Sequence, residues 1–208
     1  MDKELHQLQQ VFAGSDVRIE KCGIGKVNAA LGAQRMISEF RPDAIISSGC
    51  AGGHGDDISV QDIVASSELA YHDVYCGTAI DNSTQYGQVQ GLPARFPADP
   101  YLLSKAQQLS VLNSQFSLHT GLIVTGDWFV DSQEKMRQII GHFPDARAVD
   151  MESAAIAHAC YLNKVPFISF RVISDVPLRD THAQQYHDFW SQVAERSFLT
   201  TKTFIESL

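Results

Sequence analysis

The chain has 208 residues, 44% of them apolar, and a formal charge of −8 from 16 basic and 24 acidic side chains. That length suits one domain with a sizeable core, and with no run of Lys and Arg to meet phosphates the chain is not expected to bind nucleic acid. No apolar stretch approaches the roughly 20 residues that a bilayer-crossing helix needs, so no membrane partner is expected.

In chain order, residues 2–12 read as an amphipathic helix with Leu5, Leu8 and Phe12 on one stripe. Ala13-Gly14-Ser15-Asp16 ends it, and the alternation over 17–22 predicts a strand. Gly23-Ile24-Gly25 turns into a helix running to about Phe40, closed by Arg41-Pro42-Asp43. The strand at 44–48 is a continuous apolar run, expected where both faces of a sheet are covered, and it ends in Gly49-Cys50-Ala51-Gly52-Gly53. Residues 58–71 are β-rich. Residues 74–98, with their Gly, Pro, Asn, Ser and Gln, read as a long surface segment of the kind that is usually functional or interfacial. A helix near 100–110, a strand at 118–125, a loop over 125–130 and a helix over 132–141 follow. A short buried strand ending over 149–152, its own helix, a strand over 167–175 and a last helix over 184–206 complete the chain. Alternating β and α elements without linker, repeat or low-complexity tract predict a single α/β domain over 1–208, a sandwich with a mixed or parallel sheet.

Two acids stand where folding alone explains them poorly. Glu152 lies where a strand gives way to a helix, among apolar neighbours, and burying it unpartnered would cost several kcal/mol, roughly. A first-turn helix acid favoured by the helix dipole is the plainer reading. A second carboxylate at a strand end, Asp175, turns the balance toward chemistry. The glycines of 49–53 let a ligand approach the backbone, and crevices outside strand ends are where open α/β sheets bind ligands. Cys50 as a nucleophile has His54 too near in sequence to prejudge geometry, and no third group is identifiable.

Gly23-Ile24-Gly25-Lys26 lacks the third glycine of a dinucleotide loop, and position 20 is Glu where a phosphate-binding Walker loop needs Gly. No cofactor is therefore expected, and the turn reads as close packing or a pocket edge. Phe129 and Val130, beside Trp128, offer a flat apolar slot for a planar heterocycle, or core packing. Glu4 reads locally as a solvated helix acid. Cys22, Cys50, Cys76 and Cys160 form no C-x-x-C pair, and the eight histidines show no metal-ligand spacing, so a reduced, cytoplasmic setting and no metal are expected.

Ser-Gly-Cys-Ala-Gly-Gly at 48–53, Thr-Gly-Asp-Trp-Phe at 125–129, Val-Asp-Met-Glu-Ser-Ala-Ala at 149–155 and Arg-Val-Ile-Ser-Asp at 171–175 resemble the 5′-methylthioadenosine/S-adenosylhomocysteine nucleosidases of the purine nucleoside phosphorylase superfamily. Gly23-Ile24-Gly25-Lys26-Val27 and Tyr71-His72-Asp73 fit as well, in the same order. The resemblance implies a three-layer α/β/α sandwich with a mixed central sheet, a homodimer, and hydrolysis of the N-glycosidic bond between adenine and a thioribose. It implies Asp175, with Ser174 beside it, as the acid that protonates N7 of the leaving adenine, and Glu152 on the ribose hydroxyls, stabilising the developing cation. Met151 would line the ribose, Phe129 would stack on the purine and the Val130 backbone would read its edge. Cys50, Ala51 and Gly52 would form the strand-end wall, Ile24 and Arg171 would shape the water and sugar site, and Tyr186 would sit on a lid. Met1-Asp2-Lys3-Glu4 matches the segment carrying the water-activating base, which would be Glu4. The family's first strand precedes that segment, and nothing precedes Met1, so this strand is expected to be absent.

Other readings stay open. A phosphorylase of this superfamily would carry Arg where Ser47 stands. A nucleosidase for another purine nucleoside, of the futalosine type, would differ in the pocket for the 5′ substituent, and a non-catalytic nucleoside-binding relative would have lost the water-activating end.

Overall fold

The computed structural model describes residues 2–13, 15–77, 84–112, 117–192 and 196–208. Helices α1 (Asp2–Val11) and α2 (Lys26–Phe40) precede strands β1 (Ile45–Gly53), β2 (Ile63–Tyr71) and β3 (Phe96–Pro97). Then α3 (Pro100–Leu112), β4 (Leu118–Thr125), α4 (Gln133–His142), β5 (Ala146–Asp150), α5 (Ser153–Asn163), β6 (Phe167–Asp175), α6 (His182–Gln192) and α7 (Arg196–Glu206) follow.

The strands order as β3-β2-β4-β5-β1-β6, and β2 also pairs with β6, so the sheet curls until its two sides meet. It is mixed: β1–β6, β2–β4 and β4–β5 run parallel, while β1–β5, β2–β3 and β2–β6 run antiparallel. Two irregularities decide which side chains face which layer. In β2 the register slips between Ser66 and Glu68. The extra residue flips the two-residue alternation. Val64 before it and Leu69 and Tyr71 after it therefore join the same apolar cluster. In β6 the register slips opposite Ala51 and Gly52, so Gly52 pairs with Asp175 and Ser174 is the bulged residue. Bulges of this kind re-aim side chains at sheet ends, and here the re-aimed pair is Ser174 and Asp175.

Three layers result. Ala29, Ala33, Ala155, Ile156, Ala159 and Cys160 of α2 and α5 bury one face. Leu102 and Ala106 of α3, Phe189 of α6 and Phe204 of α7 bury the other against Ile168, Phe170 and Val172. Met136, Ile139 and Phe143 cover the Leu122, Val124 and Val149 end.

Several boundaries differ from expectation. The strand predicted at 44–48 runs on through the glycine stretch to Gly53, because full-length pairing with β6 supplies its backbone partners. The short buried strand stops at Asp150, two residues before its predicted end. Among the described residues, 17–22 form no strand and join no sheet. An alternating pattern needs a neighbouring strand to become a ladder, and the second edge of β1 pairs, among the described residues, only at Gly52 and Gly53 with β5. The single last helix predicted over 184–206 is two helices, α6 and α7, with 193–195 outside the described residues. Among the described residues, no helix is long and apolar enough to cross a membrane.

Candidate active site

A cavity of about 270 Å³ lies along β1 from Ser47 to Gly52 and ends at Ser174, Asp175 and Pro177 past the end of β6. Leu5 and Leu8 of α1 and the residues from Ile19 to Ile24 line it too.

Asp175 is 7% exposed, and burial pushes its carboxyl above the ordinary carboxylate value. The Ser174 hydroxyl, donating at 2.7 Å, and His182 nearby pull the other way without cancelling burial. Ser174 Oγ also lies 3.2 Å from the Ala51 carbonyl, which ties the bulge to β1. A carboxyl held in this way keeps its proton to higher pH than a solvated one, which is what a general acid requires.

Glu152 occupies the N-cap of α5 yet makes no side-chain cap to its own helix. The orphan amides there are met by others. Ser153 N donates to Asp150 at 3.2 Å, and Ala154 N donates to Thr125 Oγ1 at 2.9 Å. Glu152 Oε1 instead accepts from Gly25 N, at 3.0 Å and 127 residues away. The cap duty falls on Asp150 and Thr125, and the Glu152 carboxylate is held on the cavity wall.

Asp150 also anchors Arg171. Arg171 Nε lies 2.6 Å from Asp150 Oδ2, with the two side chains 3% and 1% exposed. Thr125 and Ser153 hydroxyls donate to the same carboxylate. The pair is therefore buried and hydrogen-bonded, the condition under which such a pair persists. Phe129 and Tyr186 face each other edge to face, with centroids 5.4 Å apart, and with Trp128 and Val130 they form the aromatic end of the cavity. Cys22 is a wall residue whose thiol burial pushes up, against the pull of Arg171 and with help from Glu152, so it lines the site as a neutral group.

Met151, Glu152, Phe129, Val130, Cys50, Ala51, Gly52, Ile24, Arg171, Ser174, Asp175 and Tyr186 all line this one cavity. Glu4 belongs to α1, and its side chain lies outside the described residues. Sequence reasoning missed Asp150 as the anchor of Arg171, and it missed a ring of ion pairs behind the cavity. There Lys26 Nζ lies 2.7 and 2.8 Å from the Asp73 oxygens, and Asp73 Oδ2 accepts from Asp127 N at 2.8 Å. The available signal was Lys26 itself, a cation at a helix start, where the dipole disfavours it. Among the described residues, no cluster of His, Cys, Asp or Glu is arranged to hold a metal ion.

The family model described as Phosphorylase superfamily matches residues 5–206. Among solved structures, the chain is similar to the 5′-methylthioadenosine/S-adenosylhomocysteine nucleosidase of Neisseria meningitidis in complex with methylthio-immucillin-A. That match has 34% identity and a TM-score of 0.87, and covers 100% of this chain and 96% of that one. The S. pneumoniae nucleosidase with a transition-state inhibitor matches at 32% identity and a TM-score of 0.85, over 98% and 94% of the two chains. The Colwellia psychrerythraea 34H nucleosidase in complex with adenine matches at 32% identity and a TM-score of 0.83, over 96% and 92%.

Proposed function

The chain belongs to the 5′-methylthioadenosine/S-adenosylhomocysteine nucleosidases of the phosphorylase superfamily, and from that membership and the cavity's geometry we propose how this purine nucleosidase divides its chemistry among its residues. The N9–C1′ bond of 5′-methylthioadenosine or S-adenosylhomocysteine breaks, a water oxygen bonds to C1′, and adenine and a thioribose leave. Asp175 gives its proton to N7, so that adenine departs neutral. Glu152 takes the ribose hydroxyls and stabilises the positive charge that develops on the sugar. Phe129 and Tyr186 hold the purine face, with the Val130 backbone at its edge, while Met151 and Ile24 bound the sugar. Glu4 accepts the proton of the attacking water. Leu8, one helical turn after position 4, lines the cavity and supports that assignment.

The observation that carries this reading is the raised Asp175 carboxyl in the same cavity as Glu152 and an aromatic slot. Phosphate as the nucleophile would call for a cationic cradle. Among the described residues the cavity's cations are Lys21 and Arg171, and the Arg171 Nε is committed to Asp150, which leaves no paired-arginine cradle.

The working form is a homodimer. Val27 and Leu31, 69% and 65% exposed, share one stripe of α2 opposite buried Ala29 and Ala33, and Ile24, 57% exposed, extends that apolar surface just before the helix. A contiguous apolar surface of this kind marks an interface, and Ile24 belongs both to that surface and to the cavity wall, so a partner seated there would help to close the site. Leu31→Glu should give a monomer in sedimentation experiments, and a dimer that survived this change would move the interface elsewhere. The reduced cysteines Cys22, Cys50, Cys76 and Cys160 support action in a reducing compartment, the cytoplasm.

The deciding assay incubates the purified chain with 5′-methylthioadenosine, with and without phosphate, and follows adenine by chromatography. Equal adenine release in both, with free methylthioribose, is expected. Release only with phosphate would make the enzyme a phosphorylase and overturn the hydrolytic reading.

A further inference from the structure

Helix α2 starts in an unusual way. Its N-cap is Gly25, which has no side chain to cap with, and its first residue is a lysine. Two carboxylates from distant loops take the exposed amides: Glu152 Oε1 accepts from Gly25 N at 3.0 Å, and Asp127 Oδ1 accepts from Lys26 N at 2.8 Å. The lysine charge is met by Asp73, whose side chain is 9% exposed against 22% for Lys26. Asp73 is bidentate to Lys26 Nζ, at 2.7 and 2.8 Å, and it accepts from Asp127 N at 2.8 Å as well. Residues 26, 73 and 127 therefore close a ring of charge-assisted bonds.

The ring is packed without slack. A Cβ on Gly25 would sit 2.9 Å from Asp127 Oδ1, and one on Gly126 would sit 2.8 Å from Asp73 Cγ and 2.3 Å from His72 Cε1. His72 is buried edge-on against Trp128, with ring centroids 5.4 Å apart. One side of the ring leads directly into Trp128, Phe129 and Val130, and the other leads through Gly25 to Glu152.

We propose that Asp73 is a positioning residue that locks the Phe129 loop to the turn holding Glu152, so that the base and sugar halves of the site are set by one carboxylate. The proposal rests on the nucleosidase reading above. Asp73 is not among the residues that line the cavity. Without its charge, Lys26 keeps only the Asp127 carboxylate, Oδ2 at 3.8 Å, beside a helix N-terminus that repels it, and the hold on the start of the Phe129 loop weakens.

The test is a double-mutant cycle on the full chain. Asp73→Asn keeps the size and an acceptor for Asp127 N but removes the charge opposite Lys26. It is made alone and in a Phe129→Ala background, with adenine affinity read by calorimetry, kcat/KM read with 5′-methylthioadenosine, and Tm as the control for fold. Alone, the change should weaken adenine binding and lower kcat/KM by about tenfold, within the roughly hundredfold that an ångström of misplacement can cost. In the Phe129→Ala background the loss of adenine affinity should shrink to less than about twofold, because the ring acts through that loop. Equal losses in both backgrounds, or a lowered Tm with unchanged adenine affinity, would make Asp73 merely structural and overturn the proposal. Should Asp73→Asn fail to fold, Lys26→Met, which leaves the Asp73–Asp127 bond, must show the same pattern. A chain that shows the pattern with adenine yet releases none from the nucleoside would keep the lock and overturn the hydrolase reading instead.

Discussion

Replacing Asp175 by Asn should do two opposite things at once. Asn keeps the shape and can still accept from Ser174 Oγ, which donates to the carboxylate at 2.7 Å. It cannot give a proton to the leaving purine, so adenine release should fall by about 10²–10⁴-fold, the usual worth of a positioned general acid. Stability should rise. Asp175 is 7% exposed, and burial is the larger influence on its carboxyl. Being raised in the fold above an unfolded value of about 3.9, the carboxyl favours the folded state fully below about pH 3.9. That contribution is lost as pH rises through the folded value, and above it the native chain bears a cost, whether of burying the charge or of holding the proton. Asn bears none. The variant should therefore gain on the order of 1 kcal/mol at pH 7.5, or about 2–4 °C in Tm for a domain of this size. The gain should shrink toward zero as the melts are repeated at falling pH. A lower Tm for the variant at pH 7.5, or a gain that does not depend on pH, would refute the claim that burial is what tunes this acid.

The remaining predictions separate binding from folding. Phe129→Ala should weaken adenine binding by about 1–3 kcal/mol, the worth of one base–aromatic stack. Because the ring is 54% exposed, Tm should hardly move. A large drop in Tm would mean that the ring is core and not a binding surface. Arg171→Met leaves the Asp150 carboxylate, 1% exposed, without its cation. The expected cost is about 3–5 kcal/mol, read as a lowered urea midpoint. A midpoint within error of the parent would show that the Ser153 and Thr125 hydroxyls alone satisfy Asp150.

What could be read without coordinates depended on whether the cause was local. Residues 118–125 read as a strand at about those positions, and they pair along their whole length with β2. Residues 17–22 alternate, yet among the described residues they form no strand of the sheet, because a strand's partner is not a property of its own sequence. The site followed the same division. Glu152 and Asp175 drew notice because each is a local misfit, a carboxylate where apolar neighbours and a strand end give it no structural reason. The lock around Asp73 joins residues 47, 54 and 101 positions apart, so no window of sequence contains it. Its trace was nonetheless local and of the same kind. Lys26 is a cation at a helix N-terminus, behind a glycine with no side chain to cap with, and its charge works against the helix it begins. A position that breaks a local rule requires compensation from elsewhere. At Glu152 the compensation is the Gly25 amide, and at Lys26 it is Asp73 and Asp127. The two misfits meet at the start of α2, where Glu152 takes the Gly25 amide and Asp73 and Asp127 meet Lys26, and that gives the turn a reason to keep its glycine and its lysine.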